Sequence, residues 1–141
     1  MCRVTRTDFY HHSGCLRQSL VVGTVAPPVL IGTICKHLSD DKALQHQLRS
    51  NPSEIPAAME EFLRLYTPYR GFARTTSKDV ELHGQTIRPK EPVTLHYTSA
   101  NRDPEVFDRP DEFIMNRANI AQHMAFGRGR HRCAGMPLAR L

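Results

Sequence analysis

The chain has 141 residues, 40% of them hydrophobic, with 19 Lys and Arg against 14 Asp and Glu for a net charge of +5. That length suits one ordinary domain with an adequate but thin core, and the charge favours acidic partners or anionic ligands without naming one. The cysteines, at positions 2, 15, 35 and 133, show neither close C-x-x-C pairing nor dense spacing, which argues against a disulfide scaffold or zinc module and for a reducing cytoplasm.

The first twenty residues lack a sustained apolar stretch and a small-residue cleavage site, so no secretory signal is expected. Residues 1–19 carry no assignable pattern and form a separate unassigned segment; residues 20–141 form the second unit. Residues 20–38 are apolar and helix-like, but Pro27 and Pro28 remove backbone donors and predict a kink or split near Thr24 to Ala26. The uncharged run 20–35 is accordingly too short and too broken for a membrane span. Ser39, Asp40 and Asp41 offer an N-cap for a short polar helix that stops near Asn51 and Pro52.

A clearer helix follows. Ile55, Met59, Phe62, Leu63 and Tyr66 recur at three- and four-residue steps, and Thr67-Pro68 supplies the stop. Glu61 and Arg64 share one side of it. Residues 80–83, 86–88 and 92–97, punctuated by Gly84-Gln85, predict a hairpin and a third strand in one small sheet. Residues 101–125, rich in Pro, Asp, Asn and Arg, predict an ordered but irregular segment. The last stretch, 126–141, is a glycine-punctuated loop running into a helical start at Pro137, where proline is tolerated in a first turn. The fold class expected is mainly α with a small β-sheet.

Within that last stretch, Phe126-Gly127-Arg128-Gly129-Arg130-His131-Arg132-Cys133-Ala134-Gly135 places a lone cysteine before a helix start and among cationic side chains, both of which favour a thiolate. Glycines 127, 129 and 135 permit tight turns and close backbone approach. By residue type alone this is a reactive cysteine, an anion-binding nest, a haem-iron thiolate or a plain structural loop.

The string resembles the haem-binding signature of the cytochrome P450 superfamily, in its bacterial form F-G-x-G-x-H-x-C-x-G, at every fixed position. Upstream, Glu61-Phe62-Leu63-Arg64 is similar to the E-x-x-R helix motif of that family, and 107–117 (FDRPDEFIMNR) to the segment whose last arginine joins it. The resemblance implies the C-terminal part of the P450 fold and a haem-thiolate monooxygenase that oxidises a small organic substrate. Cys133 is then the axial ligand to the iron of haem b (iron protoporphyrin IX). Phe126, Gly127, Gly129 and Gly135 line the haem, and Arg74 and His131 hold its propionates. Glu61, Arg64 and Arg117 form a buried network on the thiolate side. Arg128, Arg130 and Arg132 offer a docking face for a ferredoxin- or flavodoxin-type electron donor.

One departure stands out. Residues 20–38 resemble the helix that crosses the oxygen-binding face of that family, and on its register Val25 stands for an acid and Ala26 for a threonine. Those positions serve proton delivery, which valine and alanine cannot do. An altered proton route, through Thr24, water or substrate, or a peroxide-type oxidant is the corresponding expectation. Two rival readings are a truncated, noncatalytic product that holds no haem alone and a basic nucleic-acid-binding module. The latter rests only on pI ≈ 9.3 and clustered arginines and lacks aromatic platforms.

Overall fold

The computed structural model describes the backbone of residues 6–141 and side chains from residue 11 onward; Cys2 lies outside the described residues. Helix α1 (Arg6–Asp40) runs into α2 (Lys42–Ser50) and α3 (Ile55–Leu65). Four strands follow, β1 (Gly71–Thr75), β2 (Val80–Leu82), β3 (Gln85–Ile87) and β4 (Pro92–His96), then two single-turn helices, α4 (Tyr97–Ala100) and α5 (Met136–Ala139). This is the mainly α architecture with a small β component that the sequence predicts.

The double proline does not split α1. Pro27 and Pro28 sit inside one continuous helix, which corrects the expected break. The carbonyls that lose an amide partner are those of Gly23 and Thr24, both exposed residues open to solvent, so the loss costs far less than it would in a buried helix. The reason given against a membrane span fails with the break: residues His11–Asp40 are long and apolar enough to cross a bilayer by length and composition. The same helix nevertheless commits its C-terminal third to protein. Leu30, Ile34 and Leu38 pack with Leu44 and Leu48 of α2 and Ala58, Phe62 and Leu63 of α3 in the core. Toward its other end, Leu16, Leu20 and Val21 are each more than half exposed.

Caps and stops follow the sequence closely. The Asp41 carboxylate accepts the Leu44 N–H at 2.9 Å and starts α2, as a helix N-cap should. Asn51 closes α2, and Tyr66 closes α3 just before Pro68. Inside the core, His37 donates or accepts at Nδ1 with the Tyr66 hydroxyl (2.6 Å) and packs edge-on against the Phe62 ring.

The sheet differs from expectation. Among the described residues there are two separate two-stranded antiparallel sheets, β2 with β3 and β1 with β4. The predicted hairpin is β2–β3, turned by His83 (φ 49°) and Gly84 (φ 73°), the paired left-handed residues that a tight hairpin turn requires. The predicted third strand pairs instead with β1, whose exposed Phe72-Ala73-Arg74 run has no apolar alternation to announce it. Gly71 is required there, because a Cβ would stand 2.3 Å from the Leu95 carbonyl oxygen.

Candidate functional site

Glu61 and Arg64 point inward from α3, each only 1% exposed. They form a forked pair, Arg64 Nε to Glu61 Oε2 at 2.9 Å and Nη2 to Oε1 at 2.8 Å. Arg117 joins from the irregular segment, its Nε 3.1 Å from Glu61 Oε1, and the Ile114 N–H donates to the same oxygen at 3.1 Å. Two guanidinium groups on one carboxylate leave an excess positive charge in the interior. Backbone carbonyls offset it: Arg64 donates to those of Asn101 (2.7 Å), Pro110 (2.7 Å) and Glu112 (3.1 Å). Arg117 donates to Asp108, to Arg109 (3.3 Å) and to Glu112 (3.2 Å).

That accounting explains why residues 101–117 can be irregular and still fixed. Their carbonyls have no ladder partner, and the arginines supply the donors that buried backbone requires. Arg109, at φ 43°, is held in the left-handed region in which its carbonyl meets Arg117. The buried Phe107 ring lies beneath both cations, 5.2 Å from Arg64 and 5.9 Å from Arg117, a placement that favours positive charge over an aromatic face.

Asn101, fully buried, passes this order to the cysteine loop. Its amide donates to the Thr67 hydroxyl and its oxygen accepts the Met124 N–H at 2.6 Å. Downstream the chain turns at Gly127 (φ 68°) and Gly129 (φ 72°), conformations open to glycine at little cost. The Cys133 N–H then donates back to the Phe126 carbonyl at 2.8 Å, closing the loop on itself. A Cβ at Gly135 would lie 3.8 Å from Cys133 Sγ, and one at Gly127 would lie 3.6 Å from the Tyr97 hydroxyl. The loop therefore sits beside the end of β4.

Cys133 is free and exposed. Arg74 and His131 are exposed as well. Among the described residues neither is ion-paired, and the guanidinium of Arg74 meets only the neighbouring Ala73 carbonyl, at 2.8 Å. Phe126 is half-buried, wedged between the core and the loop. The structure thus gathers Glu61, Arg64 and Arg117 into one contact network, gathers Phe126, Gly127, Cys133 and Gly135 into another, and leaves the side chains of Arg74 and His131 exposed outside both. An exposed thiol, small residues around it, and an arginine and a histidine at the surface fit a flat, anionic, metal-centred ligand such as haem b.

Residues that sequence reasoning did not single out also shape this region. His123, 7% exposed, places Nε2 3.0 Å from Glu60 Oε2, and Arg140 forks onto the same carboxylate at 2.6 and 2.7 Å. Burial pushes the Glu60 carboxyl up, but hydrogen bonds and charge from Arg140 and His123 outweigh it and hold the pKa below its ordinary value. Burial dominates at His123 and lowers its pKa, with Glu60 offsetting part of the effect. The adjacent acid at 60 is hidden in sequence by the stronger motif beginning at 61.

A profile of the cytochrome P450 family matches residues 34–141. Cytochrome P450 109 of Bacillus spizizenii is 38% identical over 122 residues, which are 86% of this chain and 30% of that protein. The biotin biosynthesis cytochrome P450 of Bacillus subtilis is 45% identical over 103 residues, 70% of this chain and 26% of that one. A crystal structure of CYP109E1 from Bacillus megaterium in complex with corticosterone superposes with TM-score 0.86 and 34% identity, over 99% of this chain and 36% of that chain. The chain thus spans about a third of the length of the proteins it matches. With the thiol loop, the buried Glu61 pair and the fold all in agreement, the chain belongs to the cytochrome P450 family.

Proposed function

We propose that this chain provides the thiolate-side portion of a haem-thiolate monooxygenase, with Cys133 as the axial ligand of haem b. The observation that carries the reading is the presentation of Cys133: an exposed thiol on a loop closed by its own N–H to Phe126 and anchored through Asn101 to α3. Residues 20–141 carry every residue of this reading; the division after residue 19 drawn from the sequence falls inside the continuous helix α1 (Arg6–Asp40). Gly127, Gly129 and Gly135 let a planar group approach the loop without meeting a side chain. Phe126 packs against the core at the start of the loop. Arg74 and His131 hold carboxylates by charge-assisted hydrogen bonds. Haem b, when bound, supplies the redox chemistry that places one oxygen atom on a small organic substrate, with electrons from a ferredoxin- or flavodoxin-type donor. Arg128 and Arg132 line a cleft of about 280 Å³ behind the loop, and with Arg130 they give that donor a basic docking face.

Proton supply departs from the family pattern at Val25 and Ala26, and Thr24 does not replace them in place. Its hydroxyl donates to the Leu20 carbonyl at 2.7 Å and is committed to its own helix. We infer that water or substrate carries the proton, or that peroxide serves as oxidant. Haem-loaded protein supplied separately with electrons plus dioxygen, and with peroxide, separates the two. Tightly coupled turnover with dioxygen and none with peroxide removes the peroxide version.

The test of the main reading is hemin titration of the purified chain, followed by reduction under carbon monoxide. A thiolate-type absorption band that Cys133→Ser abolishes supports it; a band unchanged in Cys133→Ser overturns it. A second reading is that the 141-residue chain alone holds no haem and turns over nothing. Its accessible surface of 10861 Å² favours this, exceeding the roughly 7,400 Å² expected of a compact monomer of 16.0 kDa. Absence of haem uptake by wild type would establish that version.

A further inference from the structure

Two adjacent glutamates on α3 serve different neighbours. Glu61 collects Arg64, Arg117 and the amide of Ile114. Glu60 turns to the residues that flank the cysteine loop on either side. From before the loop, His123 brings Nε2 to Glu60 Oε2 at 3.0 Å. From after it, Arg140 sets Nε on Oε1 and Nη2 on Oε2, at 2.6 and 2.7 Å.

The tautomer of His123 is fixed by its other contact. Nδ1 accepts the Ala125 N–H at 3.2 Å, so a neutral ring carries its proton on Nε2 and donates to Glu60. Burial of the ring favours that neutral form. The charged groups around it are Glu60 on α3, Arg140 after α5 and Arg132 in the loop. Arg140 also lies over the Phe126 ring at 5.1 Å, and the carbonyl of Phe126 is the acceptor for the Cys133 N–H. One carboxylate is thereby connected to both ends of the segment that presents the thiol.

We propose that Glu60, His123 and Arg140 are positioning residues, a clasp that fastens both flanks of the Cys133 loop to α3 and sets where the thiol is presented. The inference rests on the reading of Cys133 as the ligand-bearing residue, but the clasp itself is a property of the chain without haem. It differs from the Glu61 network in what it holds: loss of Glu61 loosens residues 101–117, whereas loss of Glu60 frees the cysteine loop and leaves the α2–α3 core in place.

The test is amide hydrogen exchange on the full 141-residue chain, comparing wild type with Glu60→Gln, Arg140→Gln, the double variant and Arg140→Lys. Each single Gln variant is expected to speed exchange of the Cys133 amide about ten-fold, with the α2 and α3 amides unchanged. The double variant should be no faster than Glu60→Gln alone, because Glu60 carries both links and Arg140→Gln removes one of them. Arg140→Lys, which keeps the charge and loses the fork, should fall between. Unchanged exchange at Cys133, additive effects, or equal acceleration throughout α2 and α3 would each overturn the clasp. Hemin uptake, measured separately, reports on the ligand role of Cys133 and not on this link.

Discussion

The side-chain amide of Asn101 donates to the hydroxyl of Thr67 across 2.7 Å, while the same Asn101 accepts the Met124 amide. One buried residue therefore ties the end of α3 to the approach of the cysteine loop. Asn101→Ala removes both bonds and leaves the Met124 N–H without its partner. The expected loss is about 2–3 kcal/mol, read as a lower urea midpoint at unchanged slope.

Breaking the Glu61 network should be more severe. Glu61→Ala leaves two buried guanidinium groups without their carboxylate, a change that costs about 3–5 kcal/mol when a buried pair is broken from one side. That is a large part of the total stability of an ordinary domain. Circular dichroism should record a cooperative unfolding transition for wild type and none for the variant. Arg64→Lys should also be markedly destabilised, since an ammonium cannot serve the Asn101, Pro110 and Glu112 carbonyls and the carboxylate together.

Acid should weaken the chain in two stages. The pKa of His123 is lowered in the folded state from its ordinary 6.5. Between those values the unfolded state binds more protons, so its contribution is complete above pH 6.5 and declines as pH falls toward the folded value. Glu60 is lowered from 4.5, so its contribution is present above that pH and is lost on further acidification. Urea midpoints measured against pH should fall in both windows. His123→Gln should flatten the upper one and narrow the lower, which Arg140 still maintains.

Cys133→Ser should leave stability within about 0.5 kcal/mol of wild type, because the side chain is exposed and fills no core position. Its effect belongs in the haem spectrum alone. A matched comparison of the urea midpoint and the carbon-monoxide band checks both halves of that statement.

The unbroken α1 makes a further prediction. Replacing Pro27 and Pro28 together by Ala restores amides that can reach the Gly23 and Thr24 carbonyls. Helical signal in the far-ultraviolet should rise, with no change in the packing of Leu30, Ile34 and Leu38 reported by near-ultraviolet spectra.

Local rules worked where the signal was local. Asp41 caps α2 because its side chain reaches an amide three residues on; the hairpin is present, but its turn is His83-Gly84, one residue before the expected Gly84-Gln85, because both residues adopt positive φ. They failed at β1, which is fixed by its pairing with the distant β4, and at Pro27-Pro28, where exposure removes most of the cost that a buried proline would impose. Glu61, Arg64, Arg117 and the Phe126–Gly135 loop were legible because their residue types and order form a long pattern. Glu60, His123 and Arg140 were not, since 63 and 80 residues separate the partners.

By itself, then, the sequence determined the family, helices α2 and α3 with their cap and stops, and the cysteine on which the proposed chemistry rests. Those follow from short-range periodicity, backbone limits and a motif of fixed spacing. Only the tertiary structure decided that β4 pairs with β1, that Asn101 links α3 to the loop, and that Glu60 faces both flanks of Cys133. Such contacts arise from burial and from the need of every enclosed polar group for a partner, and both are settled when distant segments pack together.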